Sequence, residues 1–287
     1  GDGEPDFGAC TVTESQFTQL AFTVAATVMK HKKGTRQGYT HDISDNDDEL
    51  MMNLLDTEGW AYVMDLVKQI WQYGQGGPTI VADAYAQFRN GRCATYISWP
   101  SAGTQTVAAG SYIHGKLGVA RAPGSKLIYN RETKALSPCD IDLCPFMEAG
   151  FVNRPSYITG GVMLLINAQL KGQDLEDALS YAAYATIHTD VRLAGGLNPF
   201  REAHYNASWY AEAAIPWDKM DAELYTSGLR NVIDSPHTVA TPRLPTAQQM
   251  MINIERAIKE YVHLEPWNSS TDDITTIMKN CVARIEE

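Results

Sequence analysis

The sequence predicts an α/β fold in which helices and strands alternate along the chain. Apolar residues recur at helical spacing in several long segments, and short runs rich in β-branched and aromatic residues lie between them. Gly/Pro loops such as "APGS" (122–125) separate the two kinds of segment. The chain has 287 residues, of which 44% are hydrophobic, so it can bury a real core in one large domain or two moderate ones.

Helical periodicity predicts five helices, most of them bounded by capping or terminating residues. They cover 14–34, 56–77, 174–190, 246–264 and 270–287. The second begins with Asp56 and Thr57 and stops at glycines. The last has a Ser/Thr cap and two aspartates in its first turn, where they favour the positive end of the helix dipole.

Strands are predicted at 93–99, 116–122 and 161–167. Trp99 ends the first of them and runs into "PSAG", a loop at the C-terminal end of a strand, where α/β folds place ligands. Pro100 cannot donate to a strand ladder, so the chain must turn there. A flat ring in such a turn can stack on a sugar face or another apolar edge, which makes Trp99 a candidate ligand contact; packing into the core is the alternative.

Composition and motifs exclude several classes of function. The net charge of −11 would repel a phosphate backbone, so no nucleic-acid partner is expected. The nucleophile elbow G-x-S-x-G, the zinc motif H-E-x-x-H and the glycine-rich phosphate and dinucleotide motifs are absent. We therefore expect no enzyme and no catalytic residue. No apolar run approaches the ~20 residues of a membrane span, and since the chain opens on Gly1 we expect a mature or trimmed segment whose anchors could lie outside it.

Two features point to an oxidising compartment, outside the cell or at its surface. Asn206 and Asn268 stand in "NAS" and "NSS", which are acceptor triplets for N-glycosylation. Cys139 and Cys144 lie in the short loop "PCDIDLCP", which suits a local disulfide better than a zinc site. The sequence leaves open how Cys10, Cys93 and Cys281 pair; one pair and one free thiol is one arrangement.

The opening "GDGEPD" offers Asp2 and Asp6 as ligands for calcium, since closely spaced carboxylates surround that cation in calcium loops. The upstream acids of such a loop would precede residue 1. A simple acidic turn is the favoured interpretation, and no other cofactor is expected.

Five segments follow one another in a recognisable order. They are "GDGEPDFG" (1–8), "AYAQFRNGRCATYISWP" (84–100), "GKLGVARAPGS" (115–125), "YITGGVMLLINAQLKGQDLEDALSYAAYA" (157–185) and the closing helix pair. This order resembles the sugar-type family of extracellular solute-binding proteins that serve ABC importers. The cysteine loop, "LNPFREAHY" and the glycosylation triplets are similar to versions attached to eukaryotic algal membrane proteins. Met250 and Met251 depart from the family, because an aromatic residue often stacks on the sugar from that stretch.

The resemblance implies a periplasmic-binding-protein-like fold of type II, with two lobes and a hinge, and with the first part of the N-terminal lobe missing from this chain. Residues 1–92 would be a second-lobe segment, 93–190 the hinge strands with a first-lobe segment, and 191–287 a helical segment returning to the second lobe. Ligand would bind between the lobes, which close around it as the strands near 93–99 and 161–167 bend.

The family's cleft would bring Trp99, Tyr157 and Arg201 to one cavity, with Gly160 and Gly161 leaving room opposite the tryptophan. Arg201 lies in "LNPFREAHYNAS" (197–208), which corresponds to the family's x-P-x-R loop; it reaches the cleft or braces the loop against a carboxylate. The leading hypothesis is a non-catalytic domain that captures a small ligand, with carbohydrate as one candidate. The alternative is a structural or interaction ectodomain with a degenerate cleft, partnered by other chains or by a membrane-anchored remainder of the same protein.

Overall fold

A computed structural model describes most of the helices and short strands of the chain. The described residues are 7–11, 17–30, 41–42, 52–74, 81–99, 102–103, 111–144, 147–148, 152–153, 157–158, 165–188, 199, 201–212, 217–234, 239–240, 247–262 and 271–286. Their helices are α1 (Phe17–Met29), α2 (Glu58–Tyr73), α3 (Val81–Arg89), α4 (Gly172–His188), α5 (Ala207–Ala211), α6 (Lys219–Ile233), α7 (Ala247–Val262) and α8 (Thr271–Glu286), with a 3-10 turn at Glu202–Tyr205. All five predicted helices are present, as α1, α2, α4, α7 and α8.

The described strands pair two by two. They are β1 (Phe7–Cys10), β2 (His41–Asp42), β3 (Met52–Asn53), β4 (Cys93–Tyr96), β5 (Leu127–Asn130), β6 (Ala135–Pro138), β7 (Met147–Glu148), β8 (Val152–Asn153), β9 (Tyr157–Ile158) and β10 (Val239–Ala240). Two pairs are parallel: β1 with β4, in the register Phe7 to Cys93, and β9 with β10, in the register Tyr157 to Val239. The pairs β2–β3, β5–β6 and β7–β8 are antiparallel.

The strand predictions are only partly right. The segment 93–99 forms β4 over its first four residues. The strand predicted at 116–122 is wrong: these residues are not in a strand, and Leu117 N donates to the Asp221 side chain of α6. Of 161–167 only 165–167 is described, and those residues are not in a strand.

The larger core, here called the four-helix core, lies between α1, α2, α7 and α8. Ten of the thirteen residues of α1 are buried, since this helix is apolar on nearly all sides. Trp60 on α2 is fully buried and packs its ring edge-on against Phe22, with centroids 6.2 Å apart. The C-terminal helices therefore pack against the first helices, while the two-lobed fold and its three segments stay predictions. None of the described helices is both long enough and apolar enough to span a bilayer.

Candidate functional site: an aromatic core on helix α6

A second core, here called the aromatic core, is built on α6. It consists of Ile113, Leu117, Tyr210, Trp217, Ala222, Tyr225 and Leu229. Its helical members Ala222, Tyr225 and Leu229 stand three and four residues apart, so they share one face of α6. Asp218 caps the start of the helix, because its Oδ1 accepts hydrogen bonds from Met220 N and Asp221 N.

A buried carboxylate fixes the neighbouring segment to this helix. Asp221 is completely buried; its Oδ2 accepts from Gly115 N at 2.6 Å and its Oδ1 accepts from Leu117 N at 2.8 Å. Hydrogen bonds to an ionised acceptor are about twice as strong as neutral ones, and they satisfy this carboxylate away from water. Residues 113–117 are thereby held against the rings of the aromatic core.

The rings of the aromatic core form an interlocked set. Tyr210 lies 4.6 Å from Trp217 and 5.5 Å from Tyr225, and Trp217 lies 5.0 Å from Tyr225, all between ring centroids. Trp209 meets Tyr210 edge-on at 5.1 Å and lies over His204 at 4.5 Å. Such pairs add about 0.5–1.5 kcal/mol each beyond area burial. Burial, with Tyr210 beside it, raises the pKa of Tyr225 well above 10.0, so the phenol stays neutral at ordinary pH.

Arg201 begins the 3-10 turn that leads to these rings. Its backbone N–H donates to His204 Nδ1 at 3.3 Å, and its carbonyl accepts from His204 N at 2.9 Å. His204 is buried. The next residue, Glu202, forms an ion pair with Arg230 of α6, and the Arg230 guanidinium lies over the Tyr205 ring at 5.5 Å. Glu202 therefore braces this loop against α6, and Arg201 beside it is partly exposed.

Trp99 is partly exposed and leads into the same core. Its carbonyl accepts from Ala102 N at 2.9 Å, which closes the turn expected after the strand. Gly103 then lies against Tyr225 so closely that a Cβ on Gly103 would come within 2.5 Å of the ring. The segments that carry Trp99 and Arg201 therefore both rest on α6.

The other predicted ligand contacts are placed only in part. Tyr157 pairs through its backbone with Val239, a few residues beyond the end of α6, and its side chain lies outside the described residues. Gly160 and Gly161 also lie outside them. The signal that would have revealed the aromatic core is the density of aromatic residues between 205 and 225, none of which was predicted to contact ligand.

Two disulfides brace the fold. The disulfide predicted between Cys139 and Cys144 is present. Cys10 pairs with Cys93 and joins β1 to β4, while Cys281 is a buried free thiol, so the arrangement of one pair and one free thiol holds. Phe88 packs against both the Cys10–Cys93 cluster and the aromatic core, which links this disulfide to the candidate site.

Of the residues predicted to bind calcium or to carry glycans, the structure describes only Asn206. Within the described ranges no three His, Cys, Asp or Glu side chains group closely enough to hold a metal ion. Asp2 and Asp6 lie outside those ranges, and calcium there stays a prediction. Asn206 is exposed, as a glycosylation acceptor must be, whereas Asn268 is outside the described residues.

The chain matches no protein-family model, no curated protein and no solved structure. Its resemblance to solute-binding proteins therefore stays a sequence-based prediction.

Proposed function

We propose that this chain is a non-catalytic, extracellular domain of the solute-binding type that captures a small ligand, with carbohydrate as the leading candidate class. The observation that carries the proposal is that the segments bearing Trp99 and Arg201 both pack on the same helix, α6. Gly103, four residues after Trp99, packs on Tyr225, and Glu202, one residue after Arg201, pairs with Arg230 of the same helix.

The chemistry around α6 suits a neutral, hydroxyl-rich ligand. Trp99, Tyr205 and Trp209 are partly exposed rings, and flat rings bind the apolar face of a sugar. Glu202 and Arg230 add an exposed acceptor and an exposed donor that can bond to hydroxyl groups. Because the rings beneath are locked by mutual packing, little ordering entropy would be lost when ligand binds.

The non-catalytic character is supported by what the buried polar groups of this site do. Asp221 accepts hydrogen bonds from two backbone N–H groups, and His204 Nδ1 accepts from the Arg201 backbone. Asp221 thus fixes residues 115 and 117 to α6, and His204 fixes the start of the 3-10 turn, so both groups hold the chain in place. The two disulfides are consistent with an extracellular protein.

Trp99→Ala tests ligand capture. Against a panel of neutral mono- and oligosaccharides measured by calorimetry, the parent chain should bind at least one, and the variant should lose about 1–3 kcal/mol of binding free energy, as for other stacking platforms. Tyr73→Ala is the matched control, because this side chain is 78% exposed at the C-terminal end of α2.

Two results would contradict this role of Trp99. Unchanged affinity in Trp99→Ala would remove the ring from the binding surface. An unfolded variant in a thermal melt, with a folded Tyr73→Ala control, would return Trp99 to the core.

The interaction ectodomain is the second candidate, and α4 favours it. Leu179, Tyr181 and Tyr184 are 52%, 68% and 62% exposed on this helix. Exposed apolar side chains grouped on one element are typical of surfaces that contact other chains. A folded chain that binds no sugar in the panel, and whose self-association in analytical ultracentrifugation is abolished by Tyr181→Glu, would favour this candidate.

A further inference from the structure

The triplet Asn206–Ala207–Ser208 lies at the junction between the 3-10 turn and α5. The side chains of Asn206 and Ser208 are both exposed. Asn206 Oδ1 accepts from Ser208 N at 3.1 Å and from Ser208 Oγ at 3.0 Å. Within the described part of the chain, Asn206 Nδ2 donates to no other residue. The two ends of this amide are therefore used differently: its oxygen holds the chain and its nitrogen remains accessible.

We propose that Asn206 carries an N-linked glycan while its Oδ1 continues to hold α5. In this step Nδ2 attacks C1 of the first sugar of a lipid-diphosphate-linked oligosaccharide. The Nδ2–C1 bond forms, the bond from C1 to the diphosphate oxygen breaks, the lipid diphosphate leaves with that electron pair, and Nδ2 gives up one proton. The amide oxygen is not consumed, so both of its hydrogen bonds can persist in the glycosylated protein.

A glycan at Asn206 would lie beside residues that pack on the aromatic core. Ala207 and Trp209 both pack against that core from α5, while Asn206 and Ser208 face solvent. A bulky, hydrated glycan at Asn206 keeps this side of α5 in water. A partner chain is then excluded from the side of α5 that carries Asn206 and Ser208. The inference rests on the extracellular setting of the proposed function and not on ligand capture.

Site occupancy of the full chain, translocated behind a signal peptide into eukaryotic microsomes, tests the proposal. Only the protease-protected chain is analysed, so entry into the lumen is established independently. Peptide N-glycosidase in heavy-oxygen water then marks every formerly glycosylated asparagine for mass spectrometry. We expect the label at Asn206 in the parent and in Ser208→Thr, which keeps the acceptor triplet.

Two variants separate the glycan from the helix cap. Asn206→Asp keeps the capping oxygen and lacks the acceptor nitrogen, and Ser208→Ala removes the hydroxyl that the triplet requires. Neither should carry the label at position 206, and Asn206→Asp should melt within a few degrees of the parent chain made without glycosylation. A translocated parent chain without label at Asn206 overturns the proposal. Occupancy is read without any sugar-binding assay, so this failure is distinct from a failure of ligand capture.

Discussion

The four-helix core and the aromatic core are held together by different physics. The four-helix core joins helices from the two ends of the chain through aliphatic and aromatic side chains, and α7 contributes Ile254, Ala257 and Ile258 as a fully buried stripe. The aromatic core is smaller and depends on ring geometry and on the buried carboxylate of Asp221.

The two cores therefore differ in how precisely their side chains must be placed. Apolar packing is non-directional, so the four-helix core can absorb volume-conserving substitutions at modest cost. Ring pairs and buried hydrogen bonds have preferred geometry, and a buried partner left unpaired is expensive. The aromatic core is thus the stiffer support, and it is the one on which the Trp99 and Arg201 segments rest.

The largest expected effect comes from cutting the covalent link beside the aromatic core. Replacing Cys10 and Cys93 together by serine should lower the free energy of unfolding by about 4 kcal/mol, because this disulfide closes a loop with a sequence separation of 83. Replacing Cys139 and Cys144 together should cost about 2 kcal/mol, since the separation there is 5. Chemical denaturation of both pairs against the parent measures the difference; equal losses would show that loop length does not decide it.

The next effect tests the four-helix core alone. Ile258→Ala should cost about 3 kcal/mol, because the side chain is fully buried and its loss leaves a cavity. Ile252→Ala on the same helix is the matched control, since Ile252 is 47% exposed, and it should change stability by less than about 0.5 kcal/mol. Similar values for the two variants in urea titrations would mean that α7 does not bury the face described here.

A smaller effect tests the polar clamp of the aromatic core. Asp221→Asn should cost about 2 kcal/mol, because one of the two accepting oxygens becomes an NH2 group, which cannot accept from the backbone N–H that faces it. Glu223→Gln, on the exposed side of α6, should be nearly neutral. Hydrogen exchange should show faster exchange at the Gly115 and Leu117 amides in Asp221→Asn only; unchanged exchange there would contradict the clamp.

The two cores also differ in how much of them the sequence could predict. Four of the five predicted helices build the four-helix core, because helical periodicity is a local signal that survives in each segment separately. Helix α6 was not predicted: its buried face is interrupted by Thr226 and Gly228, so no clear apolar stripe appears in the sequence. The aromatic core was missed with it.

Long-range contacts account for the other features of the structure that the sequence did not predict. The alternating segment 116–122 fits a strand, yet its backbone is held by Asp221, 104 residues away from Leu117. Likewise Cys139 and Cys144 could be paired from their closeness in sequence, whereas pairing Cys10 with Cys93 requires knowing that β1 lies beside β4. Trp99 and Arg201 could be named as candidates, but their common support on α6 depends on contacts that no local pattern encodes.

The smallest expected effect is a loss of folding stability at alkaline pH. Each core contributes one buried acid to it: Cys281 in the four-helix core and Tyr225 in the aromatic core. Burial raises the pKa of the Cys281 thiol from 9.0 to about 11, and it raises the pKa of Tyr225 well above 10.0. Both groups are neutral when protonated, and both hold their proton more tightly in the folded chain than in the unfolded one. Their contribution to stability is therefore fully present below the unfolded pKa and is lost as pH rises through the folded pKa.

Denaturant titrations of the parent, Cys281→Ala and Tyr225→Phe across pH 8 to 11 should separate the two contributions. The parent should lose stability from about pH 9 upward. Cys281→Ala should remove the part that begins near pH 9, and Tyr225→Phe the part that begins near pH 10, at a cost of about 1 kcal/mol at neutral pH for the lost hydroxyl. Superimposable pH profiles for all three chains would mean that neither acid is buried in the folded state, and the burial of Cys281 in the four-helix core and of Tyr225 in the aromatic core would then be wrong.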